Sequence, residues 1–331
     1  SGDGLIISDL DSALKNDHPW ILEHITSYAD FRGEPFTALN TALIRNGLYI
    51  EVKDHILLEK PVHFLHIAHP DGNAYQAFPR NLIKVGQNSQ LSIITSYHHL
   101  SDAPYFHNSV SEIVLAENAM INEIKIQDES TKSYRIDRTQ FYQKNRSIVN
   151  SVSIDLGGSL VRNNLGFSID GENCETNLYG FYILSGEQHV DNHTNIDHLK
   201  PNCNSNELYK GILNDAARAV FSGTIYVARD AQKTNAFQSN KNLLLSEEAE
   251  IDSKPQLKIF ADDVKCSHGA TIGQLDEEAL YYLRQRGIPE AGALTLLRSA
   301  FAGEIIEKIS FGPVKKYIQD RIEHSLKNKF S

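Results

Sequence analysis

The sequence of 331 residues predicts a mainly β chain: a right-handed parallel β-helix, or β-solenoid, with a short N-terminal helical segment and a C-terminal helical subdomain. Two observations carry this. Between about residues 47 and 273, apolar and polar residues alternate with a period of two in many short runs rich in β-branched and aromatic side chains. Between those runs a corner motif returns with a small residue at its fourth place.

Residues 1–45 come first and have helical spacing. Ser8 and Asp9 can cap a segment carrying Leu10 and Leu14, and Trp20, Ile21, His24 and Ile25 continue the pattern.

The β-helix core is expected over 46–273, with runs at 48–52, 62–67, 91–94, 113–115, 121–126, 152–156, 179–183, 223–227 and 257–260. The corners read GQNSQL at 86–91, AENAMI at 116–121, GENCET at 171–176 and SEEAEI at 246–251, placing Ser89, Ala119, Cys174 and Ala249 alike. Their gaps of 30, 55 and 75 residues suggest rungs of roughly 15 residues, or a small multiple, with inserted loops. A β-sandwich also explains alternation. Hairpin signals between neighbouring runs are missing, however, and the one Asn-Gly pair, Asn46-Gly47, lies where the zone begins, which favours coils.

Helical spacing returns over 274–331. Asp276 can cap a helix with Glu277 and Glu278 in its first turn, Leu280 and Leu283 on one face, and Gly287 as terminator before Pro289. A second helix carries Leu294, Leu297, Ala300, Phe301 and Ile305. Phe311, Gly312 and Pro313 break it before a basic amphipathic segment with Tyr317, Ile318, Ile322 and Leu326. Such an appendix caps a solenoid or docks a partner.

Composition narrows the function. Hydrophobic residues at 41% and charged residues at 22% are ordinary for a globular protein. No apolar run approaches the roughly 20 residues of a spanning helix, and no charged-then-apolar leader opens the chain, so a cytoplasmic or organelle-matrix protein is expected, with no membrane partner. A formal charge of −10 argues against nucleic acid and for protein partners. Cys174, Cys203 and Cys266 are odd in number and lack C-x-x-C spacing, which suggests neither a disulfide framework nor a structural zinc site and fits a reducing compartment.

Neither a G-x-x-x-x-G-K-[ST] loop nor a G-x-G-x-x-G turn is present, so no nucleotide is expected on this chain. G-x-S-x-G and H-E-x-x-H are absent too. An energy-consuming step therefore belongs to another subunit. The strongest positive feature is Cys266-Ser267-His268, because on an extended strand residues two apart point to the same side. Thiolate and imidazole both ligate iron in clusters, but a cluster takes about four protein ligands, so the others would come from a facing subunit. The plain alternative is a core cysteine beside a surface histidine. A second group, His189, Asp191, His193, Asn195 and Asp197, shares one strand face and suits either a metal ion, with His189, Asp191 and His193 as ligands, or a stacked polar ladder. His63, His66 and His69, like His98 and His99, follow no single geometry and are expected to be solvated or core residues.

Three stretches resemble the SufB/SufD proteins of the SUF iron-sulfur assembly system: 36–52, the central block from His189 to Gln238, and 257–288, which contains CSHGAT at 266–271. That last form is similar to SufD rather than SufB, so the chain is identified as a member of this family, nearest SufD. The resemblance implies a noncatalytic scaffold subunit that forms a heterodimer with a SufB-like paralogue, or a homodimer when alone. His268, with Cys266 as neighbour, would contribute to an interface site where an iron-sulfur cluster is transiently built. The helices of 276–309 would dock a SufC-like ABC-type ATPase, and Tyr282, Arg286, Gly287, Leu294, Leu297 and Phe301 are the candidate contacts. Flavin belongs to the family's complex, although no flavin fingerprint is visible here. SufD proteins carry a longer helical N-terminal region, so that domain is expected to be trimmed or reduced. Two rival functions are a β-helix polysaccharide lyase or hydrolase using Asp191, Asp197 and Asp215, and a purely structural adaptor for the ATPase.

Overall fold

A computed structural model describes residues 4–15, 19–69 and 75–330. Its strands are β1 (Leu5–Asp9), β2 (Leu48–Val52), β3 (Val62–Ala68), β4 (Tyr75–Ala77), β5 (Arg80–Val85), β6 (Gln90–His99), β7 (Tyr105–Leu115), β8 (Met120–Gln127), β9 (Ser133–Gln143), β10 (Ile148–Asp155), β11 (Leu160–Ile169), β12 (Glu175–Leu184), β13 (His189–His198), β14 (Asn204–Leu213), β15 (Arg218–Val227), β16 (Asn235–Leu244), β17 (Glu250–Ile259) and β18 (Lys265–Gly273). From β5 onward successive strands alternate between two sheets. Sheet I runs β1-β2-β5-β7-β9-β11-β13-β15-β17 with β4 paired to β7, and sheet II runs β3-β6-β8-β10-β12-β14-β16-β18. Apart from the antiparallel β1–β2 pair, the ladders are parallel, as a β-helix requires.

In-register apolar columns hold the coils together. In sheet I, Ile113, Phe141, Phe167, Ile196, Ile225 and Leu257 are successive register partners. The Phe141 and Phe167 rings stack with centroids 4.7 Å apart. Each of the five fully buried side chains, Ile113 to Ile225, contributes about 2 kcal/mol on leaving water, and Leu257 is half-buried.

The corners explain the small residues. His55, Asn88, Asn118, Arg146, Asn173, Asn202 and Lys233 all have φ between 54° and 63°. Each sends its backbone N–H to a carbonyl in the next coil, as Asn88 does to Glu117 at 3.0 Å and Asn118 to Asn145 at 2.9 Å. From Asn88 on, the residue that follows each of them turns inward and is buried: Ser89, Ala119, Ser147, Cys174, Cys203 and Thr234. Their spacings are 30, 28, 27, 29 and 31 residues, so one full turn takes about 29 residues and contains two strands. The expected 15-residue rung is thus half a turn. Ala249 corrects the proposed repeat: it precedes β17 of sheet I and sits at the opposite corner.

The N-terminal segment contains helices α1 (Leu10–Lys15), α2 (Pro19–His24) and α3 (Pro35–Ala42), with the Asp9 carboxylate accepting the Ser12 N–H at 2.8 Å as a cap. It also contains β1, a strand the helical spacing did not suggest, which pairs with β2 at the first coil. The buried Arg80–Glu112 ion pair, at 2.7 Å, ties this segment down, because Glu112 also accepts the backbone N–H groups of Thr26, Tyr28 and Ala29, each at 2.8 Å.

After β18 come α4 (Glu277–Gln285), α5 (Glu290–Ile306) and α6 (Gly312–Lys329). Asp276 caps α4 as expected, accepting from the N–H groups of Glu278 and Ala279 at 2.9 and 3.1 Å, and Gly287 ends the turn at φ 85°. Helices α5 and α6 fold back over the outer face of sheet II. There Ile305, Ile306, Ile318 and Ile322 pack with Ile154, Phe181, Ile183 and Ile212 in a second apolar core.

Candidate functional site

The last strand, β18, pairs with β16 and forms the edge of sheet II. Cys266 lies opposite Ala236 and His268 opposite Gln238. The Cys266 side chain is half-buried against the core between the sheets, which marks the interior side. Strand alternation sends His268 the same way. His268 is nevertheless exposed, as is every residue from Ser267 to Gly273, because among the described residues no further coil covers this end. The structure therefore brings thiol and imidazole to one side of an open edge, as the C-x-H spacing anticipates. Burial pushes the Cys266 thiol above its ordinary range, so metal or a nearby cation must displace its proton before it acts as a thiolate. Two donors from this chain fit half of a cluster's usual ligand set.

One turn below, the interior is polar. The Gln238 amide donates to Glu207 Oε2 at 2.6 Å, and burial pushes the Glu207 carboxyl up to about 7. Neither residue stood out in the sequence, since a strand pattern alone assigns inward positions to apolar residues.

His189, Asp191 and His193 do share the outer face of β13, but their pairing is that of a ladder. Arg162 Nη1 lies 2.7 Å from Asp191 Oδ2, and His193 Nε2 lies 2.8 Å from Asp191 Oδ1. A guanidinium thus occupies the carboxylate that a cation would need, and among the described residues no group of three or more His, Cys, Asp or Glu side chains is arranged to hold a metal ion. This pairing is that of the stacked polar ladder, one of the two alternatives the strand face offered. The aspartates of the polysaccharide alternative do not assemble either: Asp215 sits in a corner at φ 54° and accepts the Gly186 N–H at 2.8 Å, while Asp191 is tied to Arg162.

The histidines near the N-terminal end are more organised than their spacing suggested. His66 stacks on Tyr97 with centroids 4.6 Å apart and meets the buried His107 edge-on. Burial drives His66 down to about 3. They border a cavity of about 330 Å³ whose floor includes Arg135, held by Glu129 at 2.5 Å and lying over the Tyr97 ring. These residues meet only because adjacent coils stack them, so spacing along one strand carries no sign of it.

Of the candidate docking residues, Tyr282 and Arg286 are exposed, with the guanidinium 5.2 Å from the ring centroid. Gly287 is exposed beside them, and Leu294 and Leu297 are half-buried. Phe301 is turned toward the solenoid, under Lys210 Nζ at 4.0 Å and against the outer apolar core of sheet II. No helix among the described residues is long and apolar enough to cross a membrane.

Residues 67–301 match the family model of the SUF system FeS cluster assembly SufBD core domain. An iron-sulfur cluster assembly SufBD family protein of Synechocystis is 40% identical over 83% of this chain and 63% of its own length. The iron-sulfur cluster assembly protein SufD of Escherichia coli is 34% identical over 89% of this chain and 70% of its own, and the chloroplastic protein ABCI7 of Arabidopsis thaliana is 32% identical over 88% and 63%. The chain thus spans a little under two thirds of the Synechocystis and Arabidopsis proteins. A parallel β-solenoid ending in an open strand that carries Cys266 and His268, together with a family match over most of its length, shows that the chain belongs to the SufB/SufD family of the SUF iron-sulfur cluster assembly system.

Proposed function

We propose that this chain is a noncatalytic scaffold subunit of iron-sulfur cluster assembly, acting in the cytoplasm or an equivalent reducing compartment. In this account β18 faces a SufB-like paralogue, and Cys266 and His268 supply part of the ligand set for a cluster built at the interface. The cluster is cargo, held transiently and shared with the partner. The observation that carries the proposal is the common interior side of Cys266 and His268 on a strand with one unpaired edge. An exposed edge is a template for another chain, and the paralogue would be its occupant; a second copy of this chain would take the same edge when the paralogue is missing.

The ATPase is proposed to dock on α4 and the start of α5, where Tyr281 and Tyr282 are 65% and 56% exposed and Leu296 is 51% exposed. ATP hydrolysis would occur in that partner. Co-expression with a SufB-like and a SufC-like protein, purification on a tag on this chain and anaerobic iron and sulfide analysis test the proposal. Recovery of both partners with stoichiometric iron and sulfide supports it, and recovery of this chain alone overturns it.

A further inference from the structure

Along sheet II, Glu123, Ser151, Leu178, Glu207, Gln238 and His268 are successive register partners. The final three form a polar column that ends at the open coil. Gln238 is 3% exposed and Glu207 is 3% exposed, so both amide and carboxyl are removed from water. The Gln238 amide is fixed in two ways. Its nitrogen donates to Glu207 Oε2 at 2.6 Å, and it reaches across the interior to β15, where Gly223 leaves it room. A Cβ on Gly223 would stand 2.2 Å from Gln238 Nε2, so any side chain there would displace the amide.

This clamp leaves one acceptor without a donor: Gln238 Oε1 is buried and, among the described residues, has no hydrogen-bond partner. A buried acceptor left unpaired costs about 1–3 kcal/mol, so a donor is to be expected at this oxygen. Neighbouring strands lie about 4.8 Å apart, which brings the ring of His268, the register partner of Gln238, within side-chain reach of the amide.

We propose that Gln238, clamped by Glu207 and seated against Gly223, is the positioning residue for His268, its free carbonyl oxygen accepting one imidazole N–H so that the other ring nitrogen is presented unprotonated toward the open end. The inference rests on His268 contributing to the assembly site and assigns the group that sets its tautomer. Histidines that bind metals donate their other ring N–H to an acceptor in this way, and loss of the acceptor costs 10- to 100-fold in affinity.

The test uses the full chain with nitrogen-15 in its histidines, His268 being assigned from the signal lost in His268→Ala. In the unsubstituted chain His268 should show a single predominant neutral tautomer. Gln238→Leu should relax it to the mixed tautomers of free imidazole, and Gln238→Met, which keeps the chain length and removes the hydrogen bonding, should do the same if the leucine variant does not fold. Iron incorporation in the assembled complex should fall about tenfold with either variant. An unchanged tautomer in a folded Gln238 variant overturns the positioning role whatever the cluster yield. Full cluster yield from His268→Ala, with the tautomer still responding to Gln238, leaves the positioning intact and overturns the assignment of His268 to the site.

Discussion

Arg80 and Glu112 form an ion pair with neither side chain exposed, the guanidinium donating through Nε at 3.1 Å and Nη2 at 2.7 Å to a single carboxylate oxygen. The same carboxylate holds the loop after α2 through three backbone N–H groups. Removing one partner leaves the other charge buried and unpaired, so Glu112→Ala should destabilise the chain by about 3–5 kcal/mol. Denaturant unfolding measures the loss. Limited proteolysis should then cut first within residues 19–45, because their anchor has gone.

The corner ladder gives a second prediction. Asn118, at φ 57°, donates to Asn88 Oδ1 at 2.8 Å and accepts from Arg146 Nε at 2.7 Å. Asn118→Val should cost roughly 1–2 kcal/mol from the left-handed backbone alone, with the lost hydrogen bonds adding to it. Asn118→Gly should cost less, since glycine accepts that backbone freely. Thermal unfolding of the two variants side by side reads the difference.

A third concerns pH. The folded Glu207 carboxyl is raised from 4.5 to about 7 by burial, so it keeps its proton where the unfolded chain has lost it. Its stabilising effect is complete below pH 4.5 and is lost as pH rises through about 7, an effect on the order of 3 kcal/mol at most. Asp155, raised to about 6 by burial, acts in the same direction. Glu207→Gln should therefore lose less stability than the unsubstituted chain between pH 5 and pH 8, by chemical denaturation at both. Equal losses in the two proteins would contradict the buried, raised carboxyl.

Much of this architecture was legible because a β-helix repeats its constraints. Period-two runs located nine of the eighteen strands among the described residues, and the left-handed corner residue followed by a buried small one left a motif at Ser89, Ala119 and Cys174. Ser147, Cys203 and Thr234 occupy the same place but follow Arg146, Asn202 and Lys233 in less similar hexapeptides, which hid the 29-residue turn. Strand β1 escaped because five residues beside helical spacing carry little periodicity and its partner β2 lies about 43 residues away. For the site, alternation placed Cys266 with His268, but it could not see across coils. Arg162 stands 29 residues before Asp191, and that one cross-coil contact converts an apparent ligand set into a ladder. The polar column under His268 was hidden for the same reason.

The docking face separates into two kinds of residue. Tyr282→Ala should weaken binding of the ATPase by about tenfold, or more than 1 kcal/mol, while leaving stability within about 0.5 kcal/mol, because its ring is exposed. Phe301→Ala should instead lower the unfolding temperature, since that ring packs on sheet II. Calorimetric titration and thermal melts of both variants distinguish the roles.

The central claim is that His268 and Cys266 are half of a site completed by another subunit. Its most direct measurement is iron and sulfide content, after anaerobic reconstitution, of the complex of this chain with its paralogue and ATPase, compared for the unsubstituted chain, Cys266→Ala and His268→Ala. All three complexes should assemble intact, with cluster content falling in His268→Ala to that of the partners alone. An intact His268→Ala complex with full cluster content would contradict it.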